Sequence, residues 1–370
     1  MKITFLFSVL VLALSSSGTE SCRGSLEMPI LEAEMLDPVT LAAVLSPYRN
    51  LVASDRYSGG TDNFVPDDVR VERYARAVPW KARDAERLAF QNPNRTGLYY
   101  RDRVLNTNSY PWSTIGRLVF KKYEGDLGGW CTASLIGRNM ILTASHCYPW
   151  GYRSGRWMRF IPAYTNGSEP YGGSYVTKCR GVKNTFNVTG IDYIVCQLCD
   201  PLGDKAGWMG TQWWDDSGEY MKRSWRSSGY PSDSFRGRAQ MLVSSINLTD
   251  VDLHADKGKE LESRIFASPG WSGGPMWEFI GGFPKIVGVC SGSEKDCSES
   301  VQGCYGAEGV LDVDTFHDVS AGGRLMTDLA TYALTHWQDD DQDSDGEESL
   351  DDSEIVSRLL PKTTVRDNIL

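Results

Sequence analysis

Three short segments of this 370-residue chain hold side chains whose types and order could turn a hydroxyl into a nucleophile. Gly270-Trp271-Ser272-Gly273-Gly274-Pro275 sets a serine among glycines, where a tight turn can expose Oγ and aim backbone N–H groups at one point. A hydroxyl is a weak nucleophile at neutral pH. It needs a base beside it, a carboxylate to orient that base, and donors for the oxyanion that forms. Gly270 and Ser272 are the amides assigned to such an oxyanion hole. Alone, the hexapeptide reads equally well as a glycine-rich surface turn.

The candidate base is His146, in Leu142-Thr143-Ala144-Ser145-His146-Cys147, with Cys131 upstream in Cys131-Thr132-Ala133-Ser134-Leu135-Ile136. A hairpin closed by a Cys131 to Cys147 disulfide would hold the imidazole at a strand end, and a bridge around a loop of this size contributes about 3 kcal/mol on the chain-entropy model. His254, His317 and His336, the rest of the four histidines, have no such setting. Asp192 opens the apolar run Asp192-Tyr193-Ile194-Val195. A carboxylate buried there needs hydrogen bonds, and the Nδ1–H of His146 is a suitable donor. Asp200 and Asp204 sit in a Pro- and Gly-containing loop and read as solvent-facing.

The elements that must position these residues are short β-type runs, among them Leu118 to Lys121, Met140 to Ala144, Met158 to Ile161, Ile191 to Leu198, Gln240 to Ile246 and Ile286 to Cys290. Gly-, Pro-, Asn- and Asp-rich turns separate them, which predicts an antiparallel sandwich or barrel. From Leu325 to Trp337 the spacing turns helical, with Leu325, Leu329, Tyr332, Ala333 and His336 on one face. Residues 104–337 are therefore the expected folded domain, closed by a C-terminal helix.

The ends read differently. Met1-Lys2, the apolar run from Ile3 to Leu14 and the small residues after it predict a signal peptide over residues 1–18, too short to span a bilayer. Residues 19–103 are polar and Arg-rich without evident short alternating strands, and read as a pro-region removed on maturation. Arg101 and Arg103 are its candidate processing sites. The formal net charge of −10 is matched by one stretch, Gln338 to Glu354, which holds ten Asp and Glu and no Lys or Arg. Residues 338–370 are thus an expected acidic, disordered tail, and the near-neutral remainder offers no basic face for nucleic acid.

Nine cysteines behind a signal peptide predict disulfides in a secreted, extracellular protein. Cys22 is the expected odd one, leaving Cys131, Cys147, Cys179, Cys196, Cys199, Cys290, Cys297 and Cys304, with all pairings beyond the first bridge open. Cys196-Gln197-Leu198-Cys199 has redox or zinc spacing but no second metal-spaced pair, so neither metal nor cofactor is expected. Sequons at Asn94, Asn166, Asn187 and Asn247 predict surface glycosylation.

Taken in order, these segments resemble the chymotrypsin-fold serine proteases, and within them the glutamyl endopeptidase branch. The resemblance runs from Arg103-Val104-Leu105-Asn106-Thr107-Asn108-Ser109-Tyr110-Pro111-Trp112 through the histidine segment and Asp192-Tyr193-Ile194-Val195. It continues through Pro201 to Trp208 and Ser228-Gly229-Tyr230-Pro231 to the serine turn. It implies an all-β fold of two six-stranded antiparallel barrels, a triad of His146, Asp192 and Ser272, and protein or peptide substrates, without nucleic acid or membrane. Trp271 stands where the pancreatic-type enzymes carry the aspartate that pairs with a new N-terminus, so that activation switch is excluded. The strand Val287 to Ser293, with Cys290, Ser291 and Gly292 as candidate substrate-binding residues, lacks the histidine by which the glutamyl enzymes recognise a carboxylate.

Two other readings fit parts of the sequence. Gly270-Trp271-Ser272-Gly273-Gly274 satisfies the G-x-S-x-G elbow of esterases, with Asp312 or Asp314 and His317 or His336 as later partners, but the alternating helices of that fold are missing. A secreted binding protein that kept the fold and lost activity is opposed by the intact His146, Asp192, Ser272 and Gly270. Finally, no cation or histidine occupies the pocket strand, and the position six before the nucleophile, where trypsin-like enzymes hold an acid, is Phe266. An apolar or small uncharged residue is therefore expected at the cleaved position. Mass-spectrometric mapping of a digested peptide library checks this, and a profile dominated by Glu, or by Lys and Arg, would refute it.

Overall fold

The runs at residues 140–143 and 194–198 are mostly apolar, so each strand must be covered on both faces. A computed structural model of the chain, which describes residues 31–36, 58–81, 100–152, 154–182, 189–254, 258–265, 268–295 and 316–337, provides that cover with two cores. The N-terminal part contributes β1 (Glu32–Leu36), β2 (Ser58–Gly60), β3 (Ala77–Lys81) and β4 (Tyr100–Val104). Next come β5 (Ile115–Lys121), β6 (Gly129–Leu135), β7 (Met140–Thr143), β8 (Trp157–Pro162), β9 (Ser174–Val182) and β10 (Ile194–Leu198). These six close into a barrel in the order β9-β10-β7-β6-β5-β8, with β8 returning to β9 and β1 lying parallel along the outside of β9.

Ile194, Cys196 and Leu198 of β10 fill the barrel with Ile141 of β7 and with Cys131, Ala133 and Leu135 of β6. The alternate side chains, Val195, Met140 and Leu142, enter a second core shared with Trp112, Tyr230, Trp277 and Val289. The two-residue period of a strand thus ties the barrel to the rest of the protein.

The second half is built from β11 (Gly210–Trp214), β12 (Trp225–Gly229), β13 (Met241–Ile246), β14 (Leu248–His254), β15 (Gly258–Ser263), β16 (Pro275–Ile280), β17 (Phe283–Lys295) and β18 (Phe316–Gly323). They join β3 and β4 in one sheet ordered β14-β15-β18-β17-β16-β12-β13-β4-β3, with β11 attached to β17 and β2 to β11. The helix Arg324–His336 follows β18 and buries Leu325, Leu329, Tyr332 and Ala333 of the face expected from its spacing, together with Met326 and Ala330, whereas His336, expected on that face, is exposed in the last turn. The observed class is the expected one: mostly β, with a closed six-stranded barrel, a second sheet and a C-terminal helix. Among the described residues no helix is long and apolar enough to cross a membrane.

The stretch expected to lack strands contains them. β2 pairs with β11, and β3 pairs with β4, which pairs in turn with β13. Their sequences hide this because they are edge strands held by backbone pairing: β2 is Ser-Gly-Gly, and in β3 Val78 is exposed. Between them, Glu72 N–H donates to the Tyr110 carbonyl (2.8 Å), Trp112 Nε1 donates to the Glu72 carbonyl (3.0 Å), and Phe64 stacks on Trp208 at 4.5 Å. Arg101 is buried on β4 with its guanidinium 2.6 Å from Asp233. A processing protease needs both the side chain and an accessible extended backbone, so this geometry does not offer Arg101 as a processing site. The expected signal peptide, the acidic tail, Cys22, Asn94 and Asn187 lie outside the described residues.

Trp112 joins these parts, being fully buried, edge-on to Trp277 at 5.2 Å, and bonded to the N-terminal segment through Glu72. Trp112→Ala is expected to destabilise the protein by about 3–5 kcal/mol in denaturant titrations, with Trp112→Phe costing less.

Candidate active site

Asp192 is the side chain around which the site is organised. It sits in a turn two residues before β10 and is 0% exposed. Its Oδ2 lies 2.6 Å from His146 Nδ1 and accepts from Ser291 Oγ at 2.6 Å, while Oδ1 accepts the backbone N–H of His146 at 2.9 Å. A buried carboxylate is stable only with such donors. An ionised carboxylate can only accept, so this contact selects the tautomer with the proton on His146 Nδ1 and the lone pair on Nε2. The imidazole is 27% exposed while the Asp192 side chain is fully buried.

The histidine is carried by a single 3₁₀ turn, Ser145–Cys147, immediately after β7. Ser145 Oγ donates to the Val182 carbonyl, Trp150 Nε1 donates to the Ser145 carbonyl (2.8 Å), and Cys147 is bridged to Cys131 of β6 as expected. Cys131, His146 and Cys147 place their ligand-type atoms within 4.8 Å of one another, but the two sulfurs are bonded together and the cluster is not a metal set.

Ser272 approaches from the other half. Thr132 N–H of β6 donates to the Ser272 carbonyl (2.8 Å), and that carbonyl lies 3.8 Å from Cys147 Sγ, a contact only, since a half-cystine has no proton to give. Gly273 and Gly270 have φ of +78° and +94°. A Cβ on Gly273 would come within 2.1 Å of Thr143 Oγ1 and 2.8 Å of the Ala144 nitrogen, so only glycine lets the turn seat two residues from His146. Within the turn, Trp271 N–H bonds Ser268 and Gly274 N–H bonds Trp271, while Gly273 N–H bonds Cys290. Among the described residues the amides of Gly270 and Ser272 enter no such bond, which leaves them able to donate to an oxyanion. Trp271 is buried, with its Nε1 on Ser227 Oγ (2.9 Å) and Arg101 over its ring at 5.1 Å.

Of the three candidate pocket residues, two are engaged in holding the site. Ser291 gives its hydroxyl to Asp192. Cys290 receives Gly273 N–H on its carbonyl and donates its own N–H to Gly274. Gly292 stands across from Val319 of β18, past a register shift. Cys290 is also the free cysteine among those described. The eight cysteines of the body therefore do not all pair with one another, contrary to expectation. Cys179 bonds Cys196, which breaks up the C-x-x-C pair, and Cys199 is a half-cystine whose partner lies outside the described residues. Asp204 pairs with Arg138 at the surface (2.9 Å), and His336 Nδ1 lies 2.9 Å from the Tyr332 carbonyl on the C-terminal helix. Asp312 and Asp314 lie outside the described residues.

The sequence reading missed two groups. Ser291 was read as a pocket residue because nothing local links it to an aspartate 99 positions earlier. Asp318, buried on β18, accepts from Ser293 Oγ across the β17 to β18 ladder, so an acid does border the pocket strand.

The family model described as Trypsin matches residues 105–307, and the chain belongs to that family. It is a serine-type endopeptidase. Among solved structures, a Glu endopeptidase in complex with MPD aligns with a TM-score of 0.47 at 21% identity, over 64% of this chain and 96% of that one. The protease Anisep from Arthrobacter nicotinovorans gives 0.43 at 20% identity, over 60% and 96%. A thermostable serine protease from an extremophilic microorganism gives 0.45 at 15%, over 60% and 98%. No curated protein matches in a sequence search.

Burial, and then the nearby Asp318 and Asp192, push the Cys290 thiol well above its ordinary range. The thiolate is the reactive form. Cys290 is thus expected to stay unalkylated by iodoacetamide in the native protein and to react after unfolding, as read by peptide mass mapping.

Proposed function

We propose that this chain is a secreted endopeptidase that cleaves peptide bonds through an acyl-enzyme on Ser272. The observation that carries the mechanism is the buried Asp192 carboxylate holding His146 by both its backbone N–H and its Nδ1. That clamp fixes the tautomer in which Nε2 takes the Ser272 proton as Oγ attacks the substrate carbonyl. The oxyanion forms at the N–H groups of Gly270 and Ser272. Collapse breaks the C–N bond, and His146 returns its proton to the departing amine. Water, deprotonated by the same imidazole, then releases the acyl group. Seclusion of Asp192 from solvent strengthens its pull on the imidazolium.

Export is supported by the N-terminal apolar run and by the bridges Cys131 to Cys147 and Cys179 to Cys196, which suit an oxidising compartment. Asn166 and Asn247 are exposed, as glycosylated sequons must be. The esterase reading loses its support, because His146 is engaged by Asp192 and the sheets are antiparallel apart from the β1–β9 and β11–β17 pairings. At the cleaved position Asp318 favours a second reading beside the uncharged residue expected from sequence: a Lys or Arg side chain reaching that acid. The library digest separates the two.

Ser272→Ala is expected to abolish peptidase activity and labelling by a serine-directed phosphonate while the protein is still exported and folded, with His146→Ala nearly as severe. Asp192→Asn should lower kcat on the order of 10⁴-fold by favouring the wrong tautomer. Retained turnover in Ser272→Ala would overturn the mechanism, and an unlabelled wild-type protein would favour an inactive binding homologue.

A further inference from the structure

On the side of the serine turn away from β17, the surface opens into a pocket of about 550 Å³ whose charge is of one sign. Arg117, Arg236 and Arg238 line it with Trp130, Tyr164 and Asn166, and no acid is among its lining residues. Arg117 is laid between two rings, its guanidinium carbon 4.4 Å from the centroid of Trp130 and 5.2 Å from that of Tyr164. Its Nε is buried without a hydrogen-bond partner among the described residues. The acids close by in the chain are committed elsewhere: Glu169 to Arg159 and Asp233 to Arg101, each at 2.6 Å. Arg236 and Arg238 are exposed and Arg117 is half-buried, so the pocket presents a concentrated positive charge that an anion can neutralise.

Trp130 connects this pocket to the chemistry. Its Nε1 donates to the Tyr230 carbonyl at 2.8 Å, and its indole lies between two glycines. A Cβ on Gly270 would be 2.5 Å from Nε1, and one on Gly237, between Arg236 and Arg238, would be 2.4 Å from it. One flank of Ser272 is therefore β17, reached through Gly273 and Cys290, and the other is Trp130 with its arginines. A peptide whose acyl side follows Ser291 to Ser293, and whose carbonyl oxygen meets the amides of Gly270 and Ser272, must continue past the cut over Trp130.

We propose that the Arg117–Arg236–Arg238 pocket is a specificity site that receives an acidic side chain on the leaving-group side of the scissile bond. This rests on the endopeptidase reading above. A carboxylate there would gain charge-assisted hydrogen bonds, with Arg117 held in place by its aromatic neighbours. The recognised substrates carry Asp or Glu within the first few residues after the cut, a feature independent of the cleaved residue itself.

The test uses peptide pairs that differ only in Glu or Gln at the first three positions after the cut. Because Asn166 begins a sequon at the pocket rim, all proteins are compared after enzymatic removal of N-linked glycan. Wild-type kcat/KM is expected to favour the Glu member by about fivefold at low salt, the ratio falling as ionic strength rises. In Arg236→Gln/Arg238→Gln the ratio should fall towards one. The Ser272→Ala protein binds the same peptides without turnover, and fluorescence anisotropy should give the same Glu-over-Gln ratio. A ratio near one in the wild type, or a ratio that both substitutions and salt leave untouched, overturns the proposal. If Ser272→Ala prefers Glu peptides while the wild-type protein cuts neither member, the pocket stands and the endopeptidase mechanism falls.

Discussion

A single buried negative charge is the constraint on which the rest of the site depends. Asp192 has no water to solvate it, so its ionised form survives only if the protein supplies donors, and these come from distant parts of the chain. The first barrel gives the Nδ1 and backbone N–H of His146, and the second sheet gives Ser291 Oγ. Separating the halves would strip the carboxylate of one partner, so the charge that orients the base also fastens the two halves at the cleft. The bridge of Cys147 to Cys131 then keeps the donor turn from retreating.

The serine turn is supported from both sides. Gly273 rests on Thr143 and Ala144 of the histidine strand, and Gly270 rests on Trp130, while Thr132 Oγ1 donates to the Gly270 carbonyl at 2.8 Å. Beneath it, Trp271 takes the place of a charged residue, and Arg101 packs on its ring while bonded to Asp233. An aromatic face over a neutralised guanidinium can hold the turn without an ion pair to a free N-terminus. Arg101 precedes the stretch matched to the family, residues 105–307, so part of what shapes this turn comes from outside it.

The same holds for the N-terminal segment as a whole. Its strands extend the second sheet at β3 and β4 and cover β11 through β2, and Glu72 meets the chain at Tyr110, Trp112 and Asn106. These contacts are mostly backbone hydrogen bonds to sheet edges, which give cohesion without needing an apolar pattern. A segment can therefore be well integrated and still look featureless in sequence.

The sequence by itself determined the class of fold and a C-terminal helix over Leu325 to Trp337, and it singled out His146, Asp192 and Ser272 as candidates, because each depends on local chemistry. Apolar periodicity, glycines around a serine and a cysteine beside a histidine all lie within a few residues. Only the tertiary structure decided what depends on partners far apart in the chain. Ser291 donates to Asp192, Asp318 accepts from Ser293 across the β17 to β18 ladder, and Cys290 is free while Cys196 bonds Cys179. Arg117, Arg236 and Arg238 meet around Trp130 although more than 110 positions separate the first from the other two. Pairing across strands is set by register and closure of the sheets, and these are fixed by the packing of the two cores as a whole, which no window of neighbouring residues contains.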